Sequence, residues 1–222
     1  AAFWEDSPQV LAGRDLEASG TWLGITRTGR FAALTNYRDP SRNRTDAPSR
    51  GQLVSAFLRS AMAPNEYLGQ IEKDAGSYNG FNLLFGDRDE LIYFSNCGDS
   101  PRPLGAGIYG LSNHLLDTPW PKVEQGKTAL AQALAALPDN SPLMVLLQDR
   151  HIAPDQNLPR TGVSLEWERL LSAAFIHSPA YGTRSSTTVI VDREGKVRFD
   201  ELAFGADAEP AGRARFEFKI EA

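Results

Sequence analysis

Thr21-Trp22-Leu23-Gly24-Ile25-Thr26, then Arg27-Thr28-Gly29-Arg30, then Phe31-Ala32-Ala33-Leu34-Thr35-Asn36: two strand-like runs around a glycine-bearing turn predict an antiparallel hairpin. The same signature returns twice. Phe81 to Phe85 and Leu91 to Ser95 flank Gly86-Asp87-Arg88-Asp89, and Thr187 to Val191 and Lys196 to Phe204 flank Asp192-Arg193-Glu194-Gly195. Gly107 to Ser112 is a further candidate strand. Ala214 to Ile220 alternates Phe216 and Phe218 with charged neighbours, the pattern of a strand with one solvated face.

Helices separate these hairpins. Asp39 to Pro48 is a polar loop, after which Ser49-Arg50-Gly51-Gln52 has capping-box spacing, with Ser49 as the cap. The apolar face of that helix carries Leu53, Phe57 and Leu58. A second helix starts near Pro64 and stops before Gly76. After Pro121, Ala129, Leu130, Ala133, Leu134 and Leu137 recur at helical spacing up to Pro138. Leu143 to Gln148 and Leu165 to Phe175 complete the set, Ser164 capping the latter. Hairpin blocks alternating with helical blocks predict an α+β fold with antiparallel sheets and helices outside them. With no repeat or linker, residues 1–222 are expected to form a single domain.

Composition narrows the function. Hydrophobic residues are 41% and charged residues 23%, ordinary globular usage. A single cysteine, Cys97, allows no intrachain disulfide and suits a reducing compartment, so a cytoplasmic location is expected. A formal charge of −5 disfavours nucleic acid as a partner. No apolar run approaches the roughly 18 residues that suggest an integral membrane segment.

Several motifs fail on context. Gly105-Ala106-Gly107-Ile108-Tyr109-Gly110 spells a dinucleotide fingerprint, but Pro101 and Pro103 precede it and no helix pattern opens at its last glycine. His114, His151 and His177 lack zinc-site spacing, so no metal is expected. There is no G-x-S-x-G elbow and no haem-attachment signature, and no bound cofactor is expected. Arg38, Arg42, Arg44 and Arg50 crowd one loop region; arginine forks suit carboxylate or phosphate, yet such clusters are commonly solvated loop charge. Polar residues end three strand regions: Asn36 and Arg38, Asn113 and His114, and Arg184. Asparagine there suits a turn, or an oxyanion if the three places meet.

The blocks Ala12 to Leu16, Gly20 to Gly24, Leu34 to Asn36, Ser49 to Gly51, Tyr78 to Leu84, Tyr109 to Asn113, Leu116 to Trp120 and Tyr181 to Thr187 resemble successive blocks of the NRDE family, the family of the transport and Golgi organisation protein 2. The resemblance spans almost the whole chain. It implies the four-layer αββα architecture of N-terminal nucleophile hydrolases, two stacked antiparallel sheets between helical layers. Family members begin Met-Cys and carry Asn-Arg-Asp-Glu at the end of the first strand. Neither is in this chain, and internal Cys97 does not substitute. The resemblance therefore implies that a first strand and any nucleophile lie outside it, that the piece alone is inactive, and that it is poorly stable at an open sheet edge.

In acylases of that superfamily a terminal cysteine attacks an amide carbonyl, its α-amino group taking the proton. By similarity Asn36 and Asn113 match the oxyanion-stabilising asparagines and Arg184 the arginine that holds the thiolate, which implies an amidase-type hydrolase of the carbon–nitrogen bond. The same resemblance implies an alternative: a non-enzymatic carrier or trafficking factor for haem, acyl-CoA or lipid, with Arg38, Arg184 or His114 meeting the ligand. In both, the partner is a small molecule.

Overall fold

A computed structural model describes residues 1–98 and 100–221 of the chain. The fold is α+β with two antiparallel sheets, as the hairpin blocks predict. Contacts group into two compact units, one formed by residues 1–107, 111–116 and 220–222, the other by 108–110 and 117–219.

The first unit is built on a seven-stranded meander: β1 (Ala2–Trp4), β2 (Ser7–Ala12), β3 (Leu23–Thr26), β4 (Phe31–Asn36), β5 (Phe81–Gly86), β6 (Leu91–Ser95) and β7 (Arg102–Pro103). Each strand pairs antiparallel with the next. The β3–β4 turn closes as the sequence asks: Thr26 N donates to Arg30 O at 2.9 Å, and Gly29 takes φ 83°, which a side chain would resist. Between β4 and β5 run α1 (Gly51–Arg59) and α2 (Pro64–Asp74). Leu53, Val54, Phe57 and Leu58 recur at one helical face of α1 and are buried. Phe57 packs tilted against Tyr67 of α2 and edge-on against Phe85 of β5, with centroids 5.1 and 5.2 Å away. In β5, Phe81, Leu83 and Phe85 alternate onto this helix-covered face and are completely buried. Asn82 and Leu84 therefore point to the opposite face.

Two sequence expectations change here. Ser49 does not cap α1: the residue before the helix is Arg50, already in helical conformation, with no side-chain cap bond. Gln52 N finds the Ser49 carbonyl at 3.2 Å, so the Ser49 hydroxyl is not needed. Gly107 to Ser112 is not a strand; the sheet ends instead in the two-residue β7. Past Gly110, Ser112 O and His114 O accept from the Thr35 and Asn82 side chains, and Asn113 O from Arg38 N, instead of joining a ladder.

The second unit holds α3 (Pro121–Leu134), α4 (Ser141–Leu146), α5 (Leu165–Leu170) and a sheet in the order β10 (Pro210–Lys219), β9 (Lys196–Phe204), β8 (Ser185–Val191). The β8–β9 turn repeats the first hairpin's chemistry, with Gly195 at φ 78° and Asp192 N donating to Lys196 O at 3.0 Å. Ser164 caps α5, its hydroxyl accepting from Trp167 N. Two helices are shorter than their patterns. α3 stops at Leu134 because Ala136 and Leu137 tighten to i−3 bonds ahead of Pro138, which has no N–H, and Leu134 remains exposed. α5 stops at Leu170, after which the chain peels away and Phe175 N donates to Asp149 O. On the polar face of this sheet, buried Asp200 receives Arg213 at 2.5 Å, Asn140 at 3.1 Å and Arg215 at 3.3 Å. Among the described residues, no helix is long and apolar enough to cross a membrane.

Candidate functional site

Two sequence blocks touch through bare backbone in the first unit. A side-chain carbon on Gly20 would stand 2.6 Å from the Gly51 carbonyl carbon, and one on Gly51 would stand 3.1 Å from Thr21 O. Thr21 N donates to Gly51 O at 3.2 Å. Only glycine allows this approach. It sets the start of α1 against the chain entering β3 and leaves a cavity of about 450 Å³ beside the contact.

Trp22 and Leu34 give that cavity apolar wall, Asn36 and Asn79 carboxamides, and Arg44 and Arg50 positive charge; among the described residues Asp15 is its one lining carboxylate. Asp15 is engaged, accepting from Glu17 N at 2.9 Å. Arg50 is half-buried, and burial lowers its pKa from the ordinary 12.5. Its guanidinium donates to Gly80 O at 3.0 Å. No carboxylate among the described residues pairs with it, so a desolvated cation faces the cavity with four further N–H donors. Arg44 is held differently: its guanidinium donates to the Gly76 and Ser77 carbonyls, while Asn79 clamps its backbone at both ends, 2.7 Å to N and 2.9 Å to O.

Asn36 and Asn113 are neighbours. Residues 111–116 lie along the sheet face opposite the helices, pinned by a hydrogen-bond network. Thr35 donates to Ser112 O at 2.7 Å, Arg38 N to Asn113 O at 2.7 Å, and Asn82 Nδ2 to His114 O at 3.0 Å. Tyr93 donates its hydroxyl to Asn82 Oδ1 at 2.9 Å and receives Leu116 N at 3.1 Å. Asn113 spends its carboxamide on this joint: Nδ2 donates to Asn36 O at 3.0 Å, and Oδ1 receives Arg38 at 3.4 Å. The Asn36 side chain lines the cavity, whereas Asn113 is not among its lining residues. His114 lies 2.8 Å from the Tyr37 hydroxyl, and burial lowers its pKa, favouring the neutral ring. Arg184 belongs to the second unit, exposed at the head of β8, its carbonyl accepting from Phe204 N. Among the described residues no group of His, Cys, Asp and Glu could hold a metal ion.

Sequence reasoning missed Asn82 and undervalued Arg50. Asn82 sits where β5's alternation points away from the helices, so it reads as a solvated residue, yet it is fully buried. Arg50 was indistinguishable from its exposed neighbours Arg42 and Arg44 until the fold half-buried it.

The family model for Transport and Golgi organisation 2 matches residues 1–205, a span that includes the lining residues of this cavity and reaches into both units. The chain belongs to the Transport and Golgi organisation 2 family. It is 38% identical over 242 aligned residues to the bovine Transport and Golgi organization protein 2 homolog, covering 100% of this chain and 87% of the relative. Identity to the mouse homolog is 37% over 220 residues, covering 90% and 79%. The Drosophila melanogaster Transport and Golgi organization protein 2 shares 30% over 233 residues, covering 93% and 81%. In this member of the Transport and Golgi organisation 2 family, the Gly20 and Ser49-Arg50-Gly51 blocks are the two that make the glycine contact.

Proposed function

We propose that this chain is a carrier-type binding protein whose first unit holds the acidic end of an amphiphilic small molecule of the haem or acyl-CoA type. One observation carries the reading. Arg50 is desolvated, has no carboxylate partner among the described residues, and lines a cavity with an apolar wall at Trp22 and Leu34. A half-buried cation is costly unless something pairs with it, and a ligand carboxylate or phosphate would supply that partner. The start of α1, at Gly51, contributes positive helix-end potential to the same wall. A carrier role also accords with the word "transport" in the relatives' names.

The test is Arg50→Gln, with haemin and palmitoyl-CoA as separate probes followed by tryptophan quenching. A charge-assisted hydrogen bond is worth about 1.5–3 kcal/mol, so the variant should bind roughly tenfold or more weakly. Equal affinities of parent and variant for both probes would end the carrier reading.

A second reading, an amide hydrolase, draws on the Asn36 carboxamide at the cavity with Asn113 beside it. In it Asn36 and Asn113 would stabilise an oxyanion, with a nucleophile supplied by another residue. Asn113 favours the carrier, because its Nδ2 already donates to Asn36 O. Amide turnover by a longer chain, lost in Asn36→Ala, would reverse the preference.

A further inference from the structure

A second, smaller cavity of about 220 Å³ lies beside the first, lined by Arg42, Tyr78, Gly80, Asn96 and Cys97 among others. The two have one lining residue in common, Arg44. A second link runs through Gly80, which lines the smaller one and whose carbonyl receives Arg50 of the larger. A side-chain carbon at Gly80 would stand 2.9 Å from Cys97 Sγ and 3.0 Å from Tyr37 Cβ, so the wall there is held to bare backbone.

Charge is distributed unevenly across this pair of cavities. Arg50 serves the larger, Arg42 the smaller and Arg44 both, and among the described residues Asp15 is the carboxylate that lines either one. Among the described residues no carboxylate pairs with the Arg42 guanidinium. The nearby Asp39 carboxylate is taken up by Ser41, whose N and hydroxyl donate to it at 3.2 and 2.5 Å. Asn96 cannot answer a cation or an anion freely, since its carboxamide bridges Phe81 N and the Ala75 carbonyl. The smaller cavity is thus polar and cationic rather than a place for an alkyl chain.

We propose that the two cavities form one bipartite site for a ligand carrying two separated anionic groups, the first held by Arg50 and the second by Arg42, with Arg44 between them. This rests on the binding reading above and specifies its ligand class as bis-anionic. Arg44 suits the middle position because its guanidinium is held by two carbonyls and not by an acid. It can bridge to a ligand without breaking an ion pair.

The experiment uses straight-chain α,ω-dicarboxylates and monocarboxylates of equal carbon number, displacing anilinonaphthalene sulfonate, with parent, Arg42→Gln and Arg50→Gln chains. Arg42 is exposed and has no carboxylate partner among the described residues, so its replacement should leave the melting temperature unchanged. At one chain length the dicarboxylate should bind about fivefold more tightly than its monocarboxylate at low salt, and the advantage should shrink in high salt. Arg42→Gln should erase that advantage, bringing dicarboxylate and monocarboxylate of equal length to the same affinity. Arg50→Gln should weaken both series. Equal mono- and dicarboxylate affinities at every length, with Arg50→Gln still weakening both, would overturn the bipartite site alone. Indifference of both series to Arg50→Gln would overturn it together with the binding reading.

Discussion

Replacing Asn82 by Ala should be among the most damaging single changes in the first unit, although no ligand touches this residue in the readings above. Asn82 is fully buried and makes three hydrogen bonds: it accepts from the Tyr93 hydroxyl and donates to His114 O and Thr35 Oγ1. Alanine removes a donor to the His114 carbonyl and the acceptor of the Tyr93 hydroxyl proton, while Thr35 keeps its own donation to Ser112 O. Two buried hydrogen bonds lost at about 1–3 kcal/mol each, and a small cavity, give a loss of about 3–5 kcal/mol. That is a large share of the roughly 5–15 kcal/mol available to a folded domain. Thr35→Val, which strands Ser112 O and one Asn82 Nδ2 hydrogen, should cost about 1–3 kcal/mol. Because the two side chains share a bond, the double variant should lose about 1 kcal/mol less than the sum. Urea denaturation followed by tryptophan fluorescence measures all three, with an unchanged slope as the sign that only stability moved. Hydrogen exchange at Arg38 N and Leu116 N, both tied to the pinned segment, should accelerate in Asn82→Ala. A loss under about 1 kcal/mol, or strict additivity with Thr35→Val, would refute the claim that this network holds residues 111–116 to the sheet.

Gly20→Ala should destabilise by about 1–3 kcal/mol and weaken probe binding, since the new carbon meets the Gly51 backbone at 2.6 Å and the cavity wall must move; a parent-like melt and affinity would contradict the contact. Asp6 gives a pH signature. The Arg14 hydrogen bond, joined by Arg59, lowers its pKa from 3.8 to about 2. A depressed carboxylate contributes stability above the unfolded value near 3.8 and loses it as pH falls toward 2, so the advantage of the parent over Asp6→Asn in urea midpoint should vanish across that window. An advantage that persists at pH 2 would show that the charge is not its source. Finally, because the family match runs through both compact units, we expect one calorimetric transition from residues 1–222, and two resolved transitions would mean independently folding domains.

The sequence alone determined the strand hairpins and their antiparallel sense, because a turn glycine and flanking β-branched or aromatic residues act over a few neighbours. Gly29 and Gly195 do so in the same way, each at positive φ. It also determined the family, since long ordered blocks are a property of the chain and not of its folding. The buried face of α1 was legible for the same local reason: Leu53, Phe57 and Leu58 share one side at helical spacing. Helix ends were less so, because Leu134 and Leu170 stop where non-local partners or turn bonds take over the backbone. Only the tertiary structure decided that Arg50, unlike Arg42 and Arg44, loses much of its water, and which strand asparagine is buried. Arg50 and Asn82 differ from their look-alikes by what packs over them from distant parts of the chain, and desolvation has no signature in local sequence.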